Sequence, residues 1–149
     1  MPRDIGEIGL SVKRLQVRHH RTANDRLAPL GLSIVQWDAL RHLHERPDAS
    51  LHDLAQLTFQ TDQSFGSLAA RMIDRGLIER VPGPGRAVRH RLTGKGEELR
   101  KQAGQIVHGV LAESFSALSE QELQTFGDLL ARILTVSPVS RPAGSSRQG

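Results

Sequence analysis

Cysteine is absent from the 149 residues. Disulfides, thiolate zinc sites and thiol-based peroxide sensing are excluded with it. Tyrosine is missing too, and aromatics amount to 3%, too few for the stacked rings on which single-strand nucleic-acid readers rely. No run approaches the roughly 18 consecutive apolar residues of a membrane span, so no membrane partner is expected. The opening residues MPRDIGEIGL lack the charged, apolar and small-residue order of a secretory signal, and cytoplasmic residence is expected. Catalytic signatures are also wanting. There is no His-Glu-x-x-His, no Gly-x-Ser-x-Gly and no phosphate-cradling glycine loop, and scattered Ser, His and Asp make chance triads. The expectation is a protein that is not an enzyme and carries no cofactor.

What is present is a mildly basic, ordinarily apolar chain: net charge +4, with 38% hydrophobic and 24% charged residues. An excess this small makes the location of charge matter more than its total. Apolar residues at Ile5, Ile8, Val12, Leu15 and Leu27 mark a first helix ringed by Lys13, Arg14, Arg18 and Arg21, with Asp4 placed to cap it. Pro29 and Gly31 end it. Ser33, Ser50 and Thr61 each stand before a further helix as N-caps. The third of these runs from Asp62 to about Arg75, with Phe65, Leu68, Ala69, Met72 and Ile73 inward and Gly76 as its stop. A short alternating strand follows. The turn Pro82-Gly83-Pro84-Gly85 and a basic return strand to Leu92 complete a hairpin. Thr93 opens a long helix to about Ser116. Ser119 and Glu122 form a capping box for a last helix to about Val136. The Pro-, Ser- and Gly-rich tail, residues 137–149, is expected to be disordered.

Three short helices followed by a two-stranded hairpin is the order of a winged helix-turn-helix. The fold class is therefore mainly α with a two-stranded α/β wing. A helix lying in the major groove must offer small and polar side chains to base edges. The outer face of the Asp62 helix offers Asp62, Gln63, Ser64, Gly66 and Ser67. Glycine inside a helix is costly, and Gly66 reads as a place where a sugar–phosphate strand comes close; packing against a neighbouring helix is the alternative. From Arg80 to Lys95 the chain holds Arg80, Arg86, Arg89, Arg91 and Lys95 and no acid, a finger suited to phosphates or to a minor groove. Thr61, Gln63, Ser64, Gly66, Ser67, Arg71, Arg86 and Arg89 are the candidate DNA-binding residues.

The run LAQLTFQTDQSFGSLAARMIDRGLIER, residues 54–80, resembles the helix-turn-helix of the multiple-antibiotic-resistance regulator (MarR) family, most characteristically in RMIDRGLIER. PGRAVRHRLTGKG, residues 84–96, resembles that family's wing and its exit. Arg86 matches its wing-tip arginine, but Pro84 replaces the aspartate that braces it. Phe59 and Gln60 stand where a glycine and an aliphatic residue are usual, and Ser67 where a basic residue is common. The resemblance spans about residues 5–136. It implies an obligate homodimer, and Arg71 matches an arginine aimed at the DNA backbone. It also implies release of DNA by small aromatic anions, for which Arg14, Arg18, His19, His20 and Trp37 are the candidates. In zinc-sensing relatives two histidines stand one turn apart in the long helix; here His108 is followed by Ala112. His42 and His44, and His19 and His20, diverge in direction on a helix, so no metal site is expected.

The domain reading is a dimerisation helix at 4–28 and a winged helix-turn-helix domain at 33–92, with recognition helix 62–75 and wing 77–92. Two C-terminal dimerisation helices follow at 93–136. Stripes at Leu99, Ile106, Val107, Val110, Leu111 and Phe115, then Leu123, Phe126, Leu130, Ile133 and Leu134, exceed what the central domain is expected to cover. A two-fold dimer places its recognition helices about one DNA turn, roughly 34–36 Å, apart on a pseudo-palindromic operator. The functional expectation is a sequence-specific, double-stranded DNA-binding transcription regulator, a repressor released by a small ligand. The alternatives are an architectural DNA-binding protein without a ligand, or a metal-responsive regulator.

Overall fold

The computed structural model describes residues 3–85 and 88–136. The wing-tip Arg86 and the tail 137–149 lie outside the described residues, and with them two expectations drawn from the sequence. The chain divides into two units, residues 1–114 and 115–149.

In the first unit the order is α1 (Ile5–Leu27), a short 3-10 turn (Ala28–Leu30), α2 (Ile34–Glu45), α3 (Leu51–Leu57), α4 (Asp62–Asp74), β1 (Ile78–Pro82), β2 (Val88–Leu92) and most of α5 (Gly94–Phe115). Local chemistry starts these helices where the sequence predicts. Ser33 and Ser50 make full capping boxes with Gln36 and Asp53. Thr61 Oγ1 accepts from the Ser64 N–H at 3.1 Å, and Thr93 Oγ1 from the Gly96 N–H at 3.0 Å. Asp4 departs from expectation. Its side chain caps nothing, because its carboxylate lies over Gly6, 2.8 Å from where a Cβ would stand.

The core of this unit gathers Leu27, Leu40, Leu43, Leu54, Phe65, Met72, Leu77 and Ile78, with Ala103 and Val107 from α5. Here a second expectation is corrected. Val107 and Val110 are buried, and Leu99, Ile106 and Leu111 pack against the core. Most of the α5 stripe is therefore covered within the chain itself, because α5 puts Ala103 and Val107 into the core and its later turns meet α1 at Arg18, His19 and Arg26.

Helix α4 is fixed at both ends. At its C-terminus Gly76 adopts φ 72°, with Gly76 N–H donating to the Ile73 carbonyl and Leu77 N–H to the Met72 carbonyl, both at 2.9 Å. That pair of bonds is the Schellman arrangement. Gly96, at the start of α5, lies against the Leu77 carbonyl, and the Thr93 N–H donates to the same oxygen at 3.1 Å. β1 and β2 pair antiparallel in the register Ile78 to Leu92, Arg80 to His90 and Pro82 to Val88.

In the second unit, the Ser119–Glu122 capping box starts α6 (Glu120–Leu134). The rings of Phe115 and Phe126 stand 6.0 Å apart, tilted by 54°.

Candidate nucleic-acid interface

Phe65, Ala69 and Met72 recur at helical spacing and are buried, so the rotation of α4 about its axis is set by three side chains. Its opposite side follows from that constraint. Gln63, Ser64, Ser67 and Arg71 line an open groove along the helix, together with Gln60, Thr61 and Leu68. Thr61 is half structural, since its hydroxyl is committed to the cap. Gly66 has nothing within 4 Å of where a Cβ would stand. The helix-packing explanation of this glycine is thereby removed.

Gln60, which the sequence marks only as a departure from the resembled family's turn, also lines this groove. Its amide donates to Thr58 Oγ1 at 3.1 Å, and Thr58 is itself buried and bonded to the Leu54 carbonyl. The signal was there: a glutamine stands immediately before the cap of the exposed helix, where the resembled family has an aliphatic residue. Its neighbour Phe59 is the one described non-glycine residue with positive φ, at 57°, and is 97% exposed.

On the wing, Arg89 is half-buried, and its positive charge acts on Asp53 of α3. The carboxyl of Asp53 is held below its usual range first by the Ser50 N–H and hydroxyl, then by the charges of His52 and Arg89. Arg91, counted among the basic residues of the finger, is paired across the hairpin with Glu79. The hairpin's unpaired positive charge is therefore smaller than the sequence implies.

The five ligand candidates do not converge. Arg14 and Arg18 share a groove along α1 with Leu10, Lys13, Val17, Arg21 and Thr22. His19 Nε2 lies 2.6 Å from Ser114 Oγ of α5, to which Arg18 also donates at 3.4 Å. Burial first, and Arg18 second, pull the His19 pKa below its ordinary value. His20 Nδ1 meets Gln16 of its own helix at 3.1 Å. Trp37 lies apart from the α1 groove: its indole nitrogen faces Gly104 of α5, with the Arg41 guanidinium 5.6 Å from its ring centre.

The histidine pair on α2 diverges as helical geometry requires. His42 reaches Asp38 at 3.6 Å and His44 reaches Glu97 at 3.2 Å. Among the described residues no three His, Asp or Glu side chains come together in a metal-holding group, and no helix is long and apolar enough to cross a membrane.

Comparison with known proteins matches these features. The model of the MarR family fits residues 30–87, from the end of the 3-10 turn to the wing. The HTH-type transcriptional repressor Rv2887 of Mycobacterium tuberculosis is 28% identical over 109 residues, which cover 72% of this chain and 78% of that protein. Its crystal structure in complex with DNA superposes with TM-score 0.73 at 22% identity, covering 89% of this chain and 98% of that one. Its complex with salicylic acid gives 0.72 at 24%, covering 89% and 97%. The apo form of wild-type MarR from E. coli gives 0.76 at 22%, covering 90% and 99%.

Proposed function

We propose that the chain is a regulator of the MarR family, whose model fits residues 30–87, and that it is a homodimeric transcriptional repressor of the cytoplasm that grips a pseudo-palindromic operator and releases it when a small aromatic anion binds. One observation carries this reading. The polar side of α4, with Gln63, Ser64, Ser67 and Arg71, stands open, while Phe65, Ala69 and Met72 lock the helix in place. Gln63 suits bidentate contact to adenine, and the serines are tolerant readers of either base. Arg71, and the arginines 86 and 89, hold phosphate and fix register.

Dimerisation is supported by apolar side chains that their own units leave uncovered. Ile5, Ile8, Leu10 and Val12 of α1 are exposed, as are Leu123, Leu129, Ile133 and Leu134 of α6. Exposed rows of this kind mark association surfaces. The ligand is expected to place its anionic end at Arg14 and Arg18, the pair that shares a groove. Rv2887 crystallised with DNA and with salicylic acid is the precedent for joining both partners in one chain.

Selection of bound sites from random duplexes tests the reading. A repressor dimer enriches a dyad whose half-sites are one helical turn apart, and added salicylate lowers the bound fraction. Enrichment of no sequence, with affinity governed by salt alone, identifies an architectural binder instead.

A further inference from the structure

His52 and Asp62 form a pair that this reading does not use. His52 is the second residue of α3, and Asp62 opens α4. The imidazole Nδ1 lies 2.8 and 3.0 Å from the two carboxylate oxygens, although the side chains are 61% and 67% exposed. A carboxylate only accepts hydrogen bonds, so Nδ1 carries the hydrogen. The ring is thereby oriented, and Nε2 makes no hydrogen bond among the described residues.

The location gives the pair its meaning. Asp62 and Gly66 are one turn apart on α4 and share a flank of that helix. This flank is distinct from the groove that holds Ser64 and Arg71. When a helix lies in the major groove, its two flanks face the two sugar–phosphate strands that border it. Gly66 leaves open space on this flank. Asp62 alone would repel a phosphate there. With His52 against it, the flank ends in a ring nitrogen.

We propose that His52, steered by Asp62, binds a phosphate of the duplex through Nε2, and that it does so as the imidazolium. The inference rests on the duplex-binding reading above. An imidazole whose Nδ1–H already points at a carboxylate can donate to a second anion only as the imidazolium. The other charged groups near the ring are accounted for. Asp53, on the same helix, has its carboxylate engaged by the Ser50 N–H and is acted on by Arg89 of β2. Neither occupies Nε2.

The test uses the full chain and a fluorescent duplex carrying the selected site, with dissociation constants measured from about pH 6 to about pH 8 at fixed salt, the range in which histidine changes charge. Wild-type affinity is expected to fall as pH rises, by at most about tenfold per pH unit for one proton. His52→Gln should bind several-fold more weakly at the acid end, lose that slope, and shorten the salt dependence by about 0.9 in log–log slope, the share of one phosphate. His52→Lys should restore binding and make it indifferent to pH, because lysine stays charged throughout. Asp62→Asn should flatten the pH slope in part. A His52→Gln protein with the wild-type pH profile and salt slope overturns the proposal and leaves a surface ion pair. A wild-type protein that binds no duplex at any pH overturns the regulator reading itself, a distinguishable result. Circular dichroism at each pH confirms that the variants are folded.

Discussion

A methyl group built on Gly96 would stand 1.9 Å from the carbonyl oxygen of Leu77. Neither partner can rotate away, since one is the first turn of α5 and the other the junction between α4 and β1. The same carbonyl receives the Thr93 N–H, so three elements meet at one oxygen. The position of α4 relative to the hairpin is set here.

Gly96→Ala should therefore be among the most damaging single substitutions in the chain. Overpacking against flexible side chains costs about 1–3 kcal/mol, and a clash with fixed backbone belongs at or above the top of that range. Urea unfolding is expected to show a loss of about 3 kcal/mol or more, or no folded protein at all. A loss below about 1 kcal/mol would mean that the start of α5 can shift without cost.

Gly66→Ala makes the contrasting case. A Cβ there meets nothing, and replacing a helical glycine by alanine favours the helix by about 1 kcal/mol. The variant should melt at a higher temperature than the wild type yet bind operator duplex more weakly, because under the proposed function the new methyl intrudes where a sugar–phosphate strand would pass. Raised stability with unchanged affinity would show that no strand passes that face.

Phe59→Gly should stabilise the protein. The phenyl ring is almost wholly exposed, so its removal sacrifices little burial, while φ 57° costs a side-chain-bearing residue about 1–2 kcal/mol. Glycine returns part of this through its more flexible unfolded chain. The net expectation is a gain of about 0.5–1 kcal/mol in a thermal or urea melt. A variant that melts lower would indicate that the ring is covered by a partner in the proposed dimer.

Much of this fold is legible in the sequence because its decisive signals are local. Ser33, Ser50, Thr61 and Ser119 announce helix starts through bonds to residues three positions on, and Gly76 announces an end by its own backbone. The inward side of α4 follows from period alone. What is not legible depends on distance. The burial of Val107 and Val110 is a property of what α5 lies upon. The attachment of His52 to Asp62 joins residues ten positions apart across a turn. The separation of Trp37 from Arg14 and Arg18 is likewise tertiary. Phe59 is a different case: the turn chemistry asked for glycine, and the chain adopts the left-handed conformation without one.

Gln63→Ala should lower operator affinity by about 1–3 kcal/mol, with the loss concentrated at one base pair of each half-site. Arg71→Ala should instead weaken all sequences alike and shorten the salt dependence by about one phosphate. Binding titrations against a panel of single-base operator variants separate the two patterns. A uniform loss for Gln63→Ala would reassign it to positioning the helix rather than reading sequence.

The stability of the fold should fall in mild acid, and His90 is a principal reason. It is buried on the inward side of β2, opposite Arg80, and its Nδ1 has no hydrogen-bond partner among the described residues. Burial first, and the charge of Arg80 second, hold its pKa below the ordinary histidine value of 6.5. His19 is depressed by burial and Arg18 in the same direction. In the unfolded chain these rings take up protons as pH drops through their ordinary value, while in the folded chain they stay neutral until a lower pH. Between those two points the unfolded state binds more protons, and stability declines as pH falls. The contribution is complete above the unfolded value and lost below the folded one. His90→Leu, which keeps the site apolar and removes the unpartnered nitrogen, should flatten much of this decline and gain more stability at pH near 5 than at pH near 7. Parallel urea melts at the two pH values decide it: an equal gain at both would show that His90 exerts no proton-linked effect on folding.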